Sequence, residues 1–327
     1  MKKVNIKDVA REAKVSVSTV SRVINGSAPV SEELKSRVID AIKRLGYKPS
    51  YIARGLRSGK TKTIGFIIPD ITNPFFPEMV RGVEDFLRKK GYTLILCNSD
   101  QDPKIESELV DMLMDKHIDG LLFTGAGERN KKLEVAVEKG LKVVFLDRIM
   151  EGVNASYVIS DNYGGMKALL EHLWKVGYKS YYFINGSEET FSARIRYKAF
   201  LDFIEEHKIK NYHHVFSSFS YEAGYVYTKK VKQMPDVIIG GNDLIAYGVI
   251  DALEEMGLDV PKDVGVTGFD DILFSKHYKP SLTTVRQPMY EMGRKAAQIL
   301  IALIEKDSVR KRGYVLSTEV VIRNSTR

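Results

Sequence analysis

A single cysteine, Cys97, and a single tryptophan stand in a chain of 327 residues. One cysteine excludes an intrachain disulfide framework and fits a reducing compartment. No uninterrupted apolar run approaches the roughly 20 residues that a transmembrane helix needs. Met1–Ala10 carries Asp8 and lacks the apolar stretch of a signal peptide. The expected setting is therefore the cytoplasm, with no membrane partner. The histidines (His117, His172, His207, His213, His214 and His277) show no metal-ligand spacing, and no Gly-x-Ser-x-Gly elbow occurs. No cofactor or metal is expected. Positive charge, by contrast, is concentrated. Met1–Lys62 holds 15 Lys and Arg against 5 Asp and Glu, a net +10, while the rest holds 35 against 37, a net −2. A basic head on a near-neutral body points to a polyanion partner for the head alone.

The head shows helical periodicity in three short segments. Ile6, Val9, Ala10 and Ala13 share one face, and Lys14-Val15-Ser16 interrupts. Val17–Asn25 resumes with Val20, Val23 and Ile24 apolar, Ser16 placed to cap it and Gly26 to end it. A third helix starts at Ser31-Glu32-Glu33, turns Val38, Ala41, Ile42 and Leu45 inward, and stops at Gly46. Three short helices with a tight turn between the first two form the layout of a DNA-reading helix-turn-helix. Periodicity alone would also suit any small three-helix bundle.

The run "IKDVAREAKVSVSTVSRVING" resembles the DNA-binding head of the LacI/GalR repressor family almost position for position. The resemblance implies that Val17, Ser18 and Arg22 face base edges in the major groove. An arginine fork matches a guanine edge, and a valine can touch a thymine methyl. Ser16, Thr19, Ser21 and Asn25 are then phosphate contacts, which position without specifying sequence. Residues 1–48 form this head and residues 49–62 a hinge and linker. In the family the hinge becomes a short helix on operator DNA, and two hinges pair in the minor groove. Leu56 falls on the wedge position that opens a central base step, Ile52 and Ala53 on packing positions, and Arg54 and Arg57 near phosphate. Gly55 departs from the better helix formers found there, at about 1 kcal/mol of helix propensity. Ser58-Gly59-Lys60-Thr61 looks like the end of a phosphate-binding loop, but Arg54 occupies the first glycine position and the strand follows instead of preceding.

Residues 63–327 alternate β-rich runs (63–68, 93–98, 120–124, 143–146, 181–184, 237–239, 264–269) with amphipathic stretches such as 76–90, 104–116, 163–176, 193–206 and 244–256. Such alternation predicts parallel, doubly wound sheets with helices on both faces. Two of these sheets joined by crossing strands make a two-lobed α/β core, expected as roughly 63–161 with 289–320 and 162–288 with the C-terminal strand. Ligands in open α/β sheets bind beyond the carboxyl ends of the strands, where the unusual residues here collect.

This body resembles the periplasmic sugar-binding-protein fold that forms the effector core of the same family, most closely the ribose repressors and ribose-binding protein. Asn73, Phe75 and Phe76 match the family's "NPFF" after the first strand, and Asp147-Arg148 its Asp-Arg pair. Arg196 and Phe219 fall on a sugar-binding arginine and a stacking aromatic. Asn242, Asp270 and Gln287 complete the set. The chemistry suits a pentose: aromatic rings cover its C–H faces, while carboxylates accept, arginines donate, and amides do both around its hydroxyl rim. Each residue also has an ordinary structural role, Asn73-Pro74 as a helix cap and Asp147 and Asp270 as turn residues. Whether Asn98, Gln101 or Asp102 adds a contact stays open.

Other readings compete. Asp147 and Asp270 as a glycosidase pair are weakened by neighbouring arginines, expected to hold both carboxylates ionised. A free transport receptor is opposed by the basic head. A purine can replace the sugar, and "QPMYEMG" is also similar to catabolite-control repressors that bind a phosphocarrier protein. The reading that unites head and body is a cytoplasmic transcriptional repressor, a homodimer on a pseudo-palindromic operator, with operator affinity set by a small sugar, D-ribose first. Without a terminal leucine heptad, no coiled-coil tetramer is expected.

Overall fold

The computed structural model describes residues 4–25, 28–47, 60–127, 129–306 and 312–327. The chain divides into two compact units, one ending at Thr61 and the other spanning Lys62–Arg327.

In the first unit, α1 (Ile6–Glu12) starts with a capping box: the Asn5 side chain accepts from Lys7 N and Asp8 N, and Asp8 accepts from Asn5 N. Lys14 turns the chain at φ 52°. Ser16 Oγ then accepts from Thr19 N at 3.1 Å and opens α2 (Val17–Asn25). The third helix, α3 (Glu32–Leu45), ends on Gly46 at φ 60°, where a left-handed residue lets two amides close on helix carbonyls. Val9, Ala10, Ala13, Val20, Val38 and Ala41 form the buried core. Arg37 on α3 donates to the carbonyls of Ala13 and Lys14 at 2.7 and 3.2 Å, tying the turn to the third helix.

In the second unit, one sheet is entirely parallel: β1 (Thr63–Ile68), β2 (Thr93–Asn98), β3 (Gly120–Phe123), β4 (Lys142–Leu146), β5 (Ser156–Ser160) and β11 (Gly313–Leu316), in the order β11-β5-β4-β3-β1-β2. Its helices are α4 (Phe75–Lys89), α5 (Pro103–Asp115), α6 (Lys131–Glu138) and, returning late in the chain, α11 (Met289–Glu305). The second sheet is parallel too, in the order β7-β6-β8-β9: β6 (Tyr181–Asn185), β7 (Tyr212–Phe216), β8 (Val237–Gly240) and β9 (Gly265–Thr267). Around it lie α7 (Asn162–Val176), α8 (Phe191–Glu206), α9 (Tyr221–Lys229) and α10 (Asp243–Glu255). A small antiparallel pair, β10 (Thr284–Arg286) with β12 (Glu319–Val321), adjoins it, so the chain crosses between lobes near residues 161, 287 and 317.

Each lobe is locked by two helices crossing backbone to backbone. A Cβ on Gly82 of α4 would come within 2.0 Å of the Tyr290 carbonyl, and one on Gly293 of α11 within 2.0 Å of the Met79 carbonyl. The second lobe repeats the device, with Gly224 of α9 against Ile245 O and Gly248 of α10 against Tyr221 O. No described helix is long and apolar enough to cross a membrane.

Candidate functional site

Candidate residues fall in both units. On the head, α2 bears no carboxylate, and Arg22 stands exposed in its last turn beside exposed Ser16 and Ser18. The Ser16 hydroxyl lies 2.7 Å from that of Ser18 and 2.8 Å from that of Thr19, so one serine both caps the helix and orients two hydroxyls. Val17 packs partly against the core, and Thr19 and Ser21 are half-buried. The Asn25 side chain lies outside the described residues, as do Ile52, Ala53, Arg54, Leu56 and Arg57.

In the body, one cleft is lined by Asn73, Phe75, Phe76, Asp147, Arg148, Arg196, Phe219, Asn242, Asp270 and Gln287, joined by Ser192. The ten residues singled out from the sequence thus meet at one place. All but Arg196, which lies in the second turn of α8, follow a strand end or open a helix. Asn73 and Phe76 stand where β1 hands over to α4: Asn73 Oδ1 accepts from Phe75 N at 3.1 Å, and its carbonyl from Phe76 N. In the other lobe Asn242 does the same after β8, its Oδ1 accepting from Ile245 N at 2.9 Å. Because a cap requires the oxygen to face the helix, both amides turn their NH2 groups toward the cleft side. The Asn242 NH2 has only a long 3.4 Å contact, to Phe219 O.

The two phenylalanines meet edge to face with centroids 5.1 Å apart, and both are buried. Phe219, across the cleft, lies against Gly186, where a Cβ would come within 2.3 Å of its ring. Arg196 projects from α8 with its guanidinium 3.7 Å over the Phe269 ring and 5.6 Å from that of Phe219. Its Nε donates to Asn162 at 2.8 Å and its Nη1 to the Gly241 carbonyl at 2.5 Å. Its Nη2 lies 3.9 Å from Asp270. Asp147, at φ 60°, sits 3.4 Å from Arg148, which donates to the Gly125 carbonyl at 2.9 Å. Behind them buried Glu106 accepts from Asn130 and from Ala126 N, holding the loop that carries Gly125.

Three buried polar atoms of this wall find no hydrogen-bond partner: Asp147 Oδ1, Arg148 Nε and Gln287 Oε1. Arg148 Nε has the 3.4 Å ion pair with Asp147, but buried polar groups are normally satisfied, so the two acceptors mark the cleft as built for a polar guest. The free space between the walls is about 20 Å³, too little for a monosaccharide with the lobes as they stand.

One electrostatic expectation is overturned. Burial pushes the Asp270 carboxyl well above its ordinary value, and Arg196 opposes this only in part, with Asp243 adding to the rise. Arginine proximity therefore does not secure ionisation here, because both partners are desolvated and 3.9 Å apart. Gln287 Nε2 donates to Asp270 at 2.7 Å and fixes its orientation. The Arg196 and Arg148 guanidinium groups are likewise pushed down by burial, against the pull of Asp270 and Asp147 respectively.

Ser192 was missed by sequence reasoning. It lies one helical turn before Arg196 on α8, so the i, i+4 rule applied to a suspected ligand residue would have found it. Asn98, Gln101 and Asp102 do not line the cleft. Asn98 accepts from Ile71 N and donates to Asp100, and Asp102 caps α5. Among the described residues, Glu171, Glu206 and His207 bring three metal-type donors together. Lys167 already holds Glu206 at 2.8 Å, which makes this an ion-pair network.

Comparison with known proteins matches residues 5–50 to the model for bacterial regulatory proteins of the lacI family, and residues 170–326 to a periplasmic binding protein-like domain. An HTH-type transcriptional regulator RegA from Clostridium saccharobutylicum is 39% identical, the match covering 98% of this chain and 99% of the relative. A ribose operon repressor from Halalkalibacterium halodurans is 37% identical over 98% and 97%. A catabolite control protein A from Priestia megaterium is 34% identical over 99% of each chain. Among solved structures, a lac repressor dimer bound to operator and the anti-inducer ONPF superposes with a TM-score of 0.88 at 25% identity, covering 99% of both chains. A lacI-family regulator from Enterococcus faecium with bound ribose superposes at 0.75 and 27% identity, covering 81% of this chain and 98% of that one.

Proposed function

The chain belongs to the lacI family of bacterial regulatory proteins, and we propose that within it this protein is a repressor of sugar metabolism whose effector is D-ribose. It is a DNA-binding transcriptional repressor with a two-lobed effector core, and not an enzyme. The observation that carries the ribose reading is the composition of the cleft wall. Aromatic rings in both lobes can cover a sugar's faces. Unpartnered Asp147 Oδ1 and Gln287 Oε1 accept from hydroxyls, and the NH2 groups of Asn73 and Asn242 donate to them. A repressor relative named for the ribose operon and a family structure holding ribose support the same choice.

The proposed mechanism is linkage. Sugar bridges residues of both lobes, the lobes rotate on the three crossings, and the DNA-competent population falls. The operator is read by a homodimer on a pseudo-palindrome in the cytoplasm, where the DNA is. Val17, Ser18 and Arg22 read bases, Ser16, Thr19, Ser21 and Asn25 hold phosphate, and residues 49–57 act as the hinge. Calorimetry against a panel of pentoses, hexoses and purines tests the effector. Ribose alone among them should bind with micromolar or tighter affinity and release operator DNA. Tight binding of a hexose or purine with none of ribose would replace it as effector.

A further inference from the structure

A second cavity, of about 490 Å³, opens at the free edge of the second sheet. It exists because β7 is an edge strand and the nine-residue α9 leaves part of that face uncovered. Tyr182 of β6 lies opposite His213 of β7 in register, and their rings meet edge to face at 6.5 Å. Tyr227 of α9 and Met234 pack with Tyr182 against the same apolar cluster and form the floor. Lys230 places its ammonium 4.9 Å over the Tyr227 ring, and Lys232 joins it on the exposed rim. No carboxylate lines the cavity. In a body whose formal charge is −2 overall, that wall is locally cationic.

We propose that this cavity is a second small-molecule site, shaped for a planar aromatic ring carrying an anionic group and of roughly mononucleotide size. Flat tyrosine and histidine rings offer stacking surfaces, two lysines offer charge to a phosphate or carboxylate, and the volume falls in the range of ligand pockets, about 300–1,000 Å³. Burial raises the Tyr182 hydroxyl's pKa, which keeps it a proton donor at neutral pH. The two elements that wall the cavity, β7 and α9, are joined by the segment that carries Phe219 into the sugar cleft. Through that segment a guest in the cavity is coupled to sugar affinity, and by reciprocity sugar changes the affinity for the guest. This coupling rests on the sugar-effector reading; occupancy of the cavity does not.

The test uses the full-length protein with adenosine monophosphate, adenosine, inorganic phosphate and benzoate, each followed by calorimetry. Adenosine monophosphate should bind, with adenosine and phosphate at least tenfold weaker. The double variant Lys230→Ala/Lys232→Ala, both at exposed positions, should weaken it at least tenfold while ribose binding stays as in wild type. Benzoate matching the nucleotide would keep the aromatic-anion class and move the source to carboxylates. Phosphate matching the nucleotide would reduce the site to an adventitious anion patch and overturn the proposal. So would nucleotide binding that survives the double variant but is lost in Asp147→Asn, since the guest would then occupy the sugar cleft. Binding of neither adenosine monophosphate nor benzoate would also overturn it, whatever ribose does.

Discussion

Asn73 and Asn242 each serve two ends at once. Their side-chain carbonyl oxygens cap helices in opposite lobes, which leaves the NH2 groups free to donate to a ligand. Asn73→Ala should lower stability by about 1 kcal/mol from the lost cap and weaken ribose besides. Asn73→Ser should restore the denaturation midpoint without restoring affinity; recovery of both in calorimetry would reduce Asn73 to a cap. At Asp147 the backbone is left-handed, so asparagine is the compatible substitution. Asp147→Asn should cost roughly 10–100-fold in ribose affinity, about one or two charge-assisted bonds, and leave operator binding intact in a mobility-shift assay. Asp243 sets a pH dependence of stability. Its carboxylate is buried with no ion-pair partner among the described residues, accepts from Ser275, Thr284 and Ile272 N, and has its pKa raised by burial to about 6. Between the unfolded value near 4 and about 6 the folded state holds the extra proton. Stability from this group is therefore lost as pH rises through that window, by about 3 kcal/mol at most. Urea unfolding from pH 4 to 7 should show a shallower slope in Asp243→Asn than in wild type, the variant keeping the like-signed contribution of buried Asp270. At this scale the cleft was largely legible, because aromatic, Asp-Arg and amide residues at strand ends are conspicuous. Ser192 was not, since a serine inside a helix carries no signal until its neighbour Arg196 is assigned. Nor was the Asp270 protonation balance, which depends on burial that sequence does not display.

Among the elements, those with long apolar runs or clear helical stripes were readable in the sequence, down to the ends of β1 and β2. The strands β5 and β7 were not. The sequence of β7 is "YHHVF", and only its partner β6 makes it a strand, by pairing Tyr212–Phe216 with Tyr181–Asn185. Edge strands bury one side at most, so their apolar signal is weak. The glycine crossings were equally silent, since a helical glycine reads as a weak former and not as a contact. Gly82→Ala and Gly224→Ala should each cost about 3 kcal/mol, the upper end for overpacking, because backbone and not a movable side chain blocks the new Cβ. Denaturation curves would show it; a change below about 0.5 kcal/mol would mean the helices part easily.

For the molecule as a whole, the sequence divided cleanly by charge. The head's excess of lysine and arginine has its chemical use on DNA. Arg22→Ala should both lower operator affinity and relax discrimination at one base pair, by about 1–3 kcal/mol, in binding to a set of operator variants. Uniform weakening across all variants would make Arg22 a phosphate contact. The late return of α11 and β11 to the first lobe is a property of topology that periodicity does not contain; the expectation that residues 289–320 join that lobe came from the family resemblance. The glycine crossings have a consequence for signalling. With α4 held to α11 and α9 to α10 by backbone, each lobe travels as a solid piece. On the proposed mechanism, little of the strain a sugar creates is absorbed inside a lobe, so it emerges at the crossings as one shared movement. A loosened crossing would turn a switch into a dimmer, giving a graded and leaky reply to the same sugar.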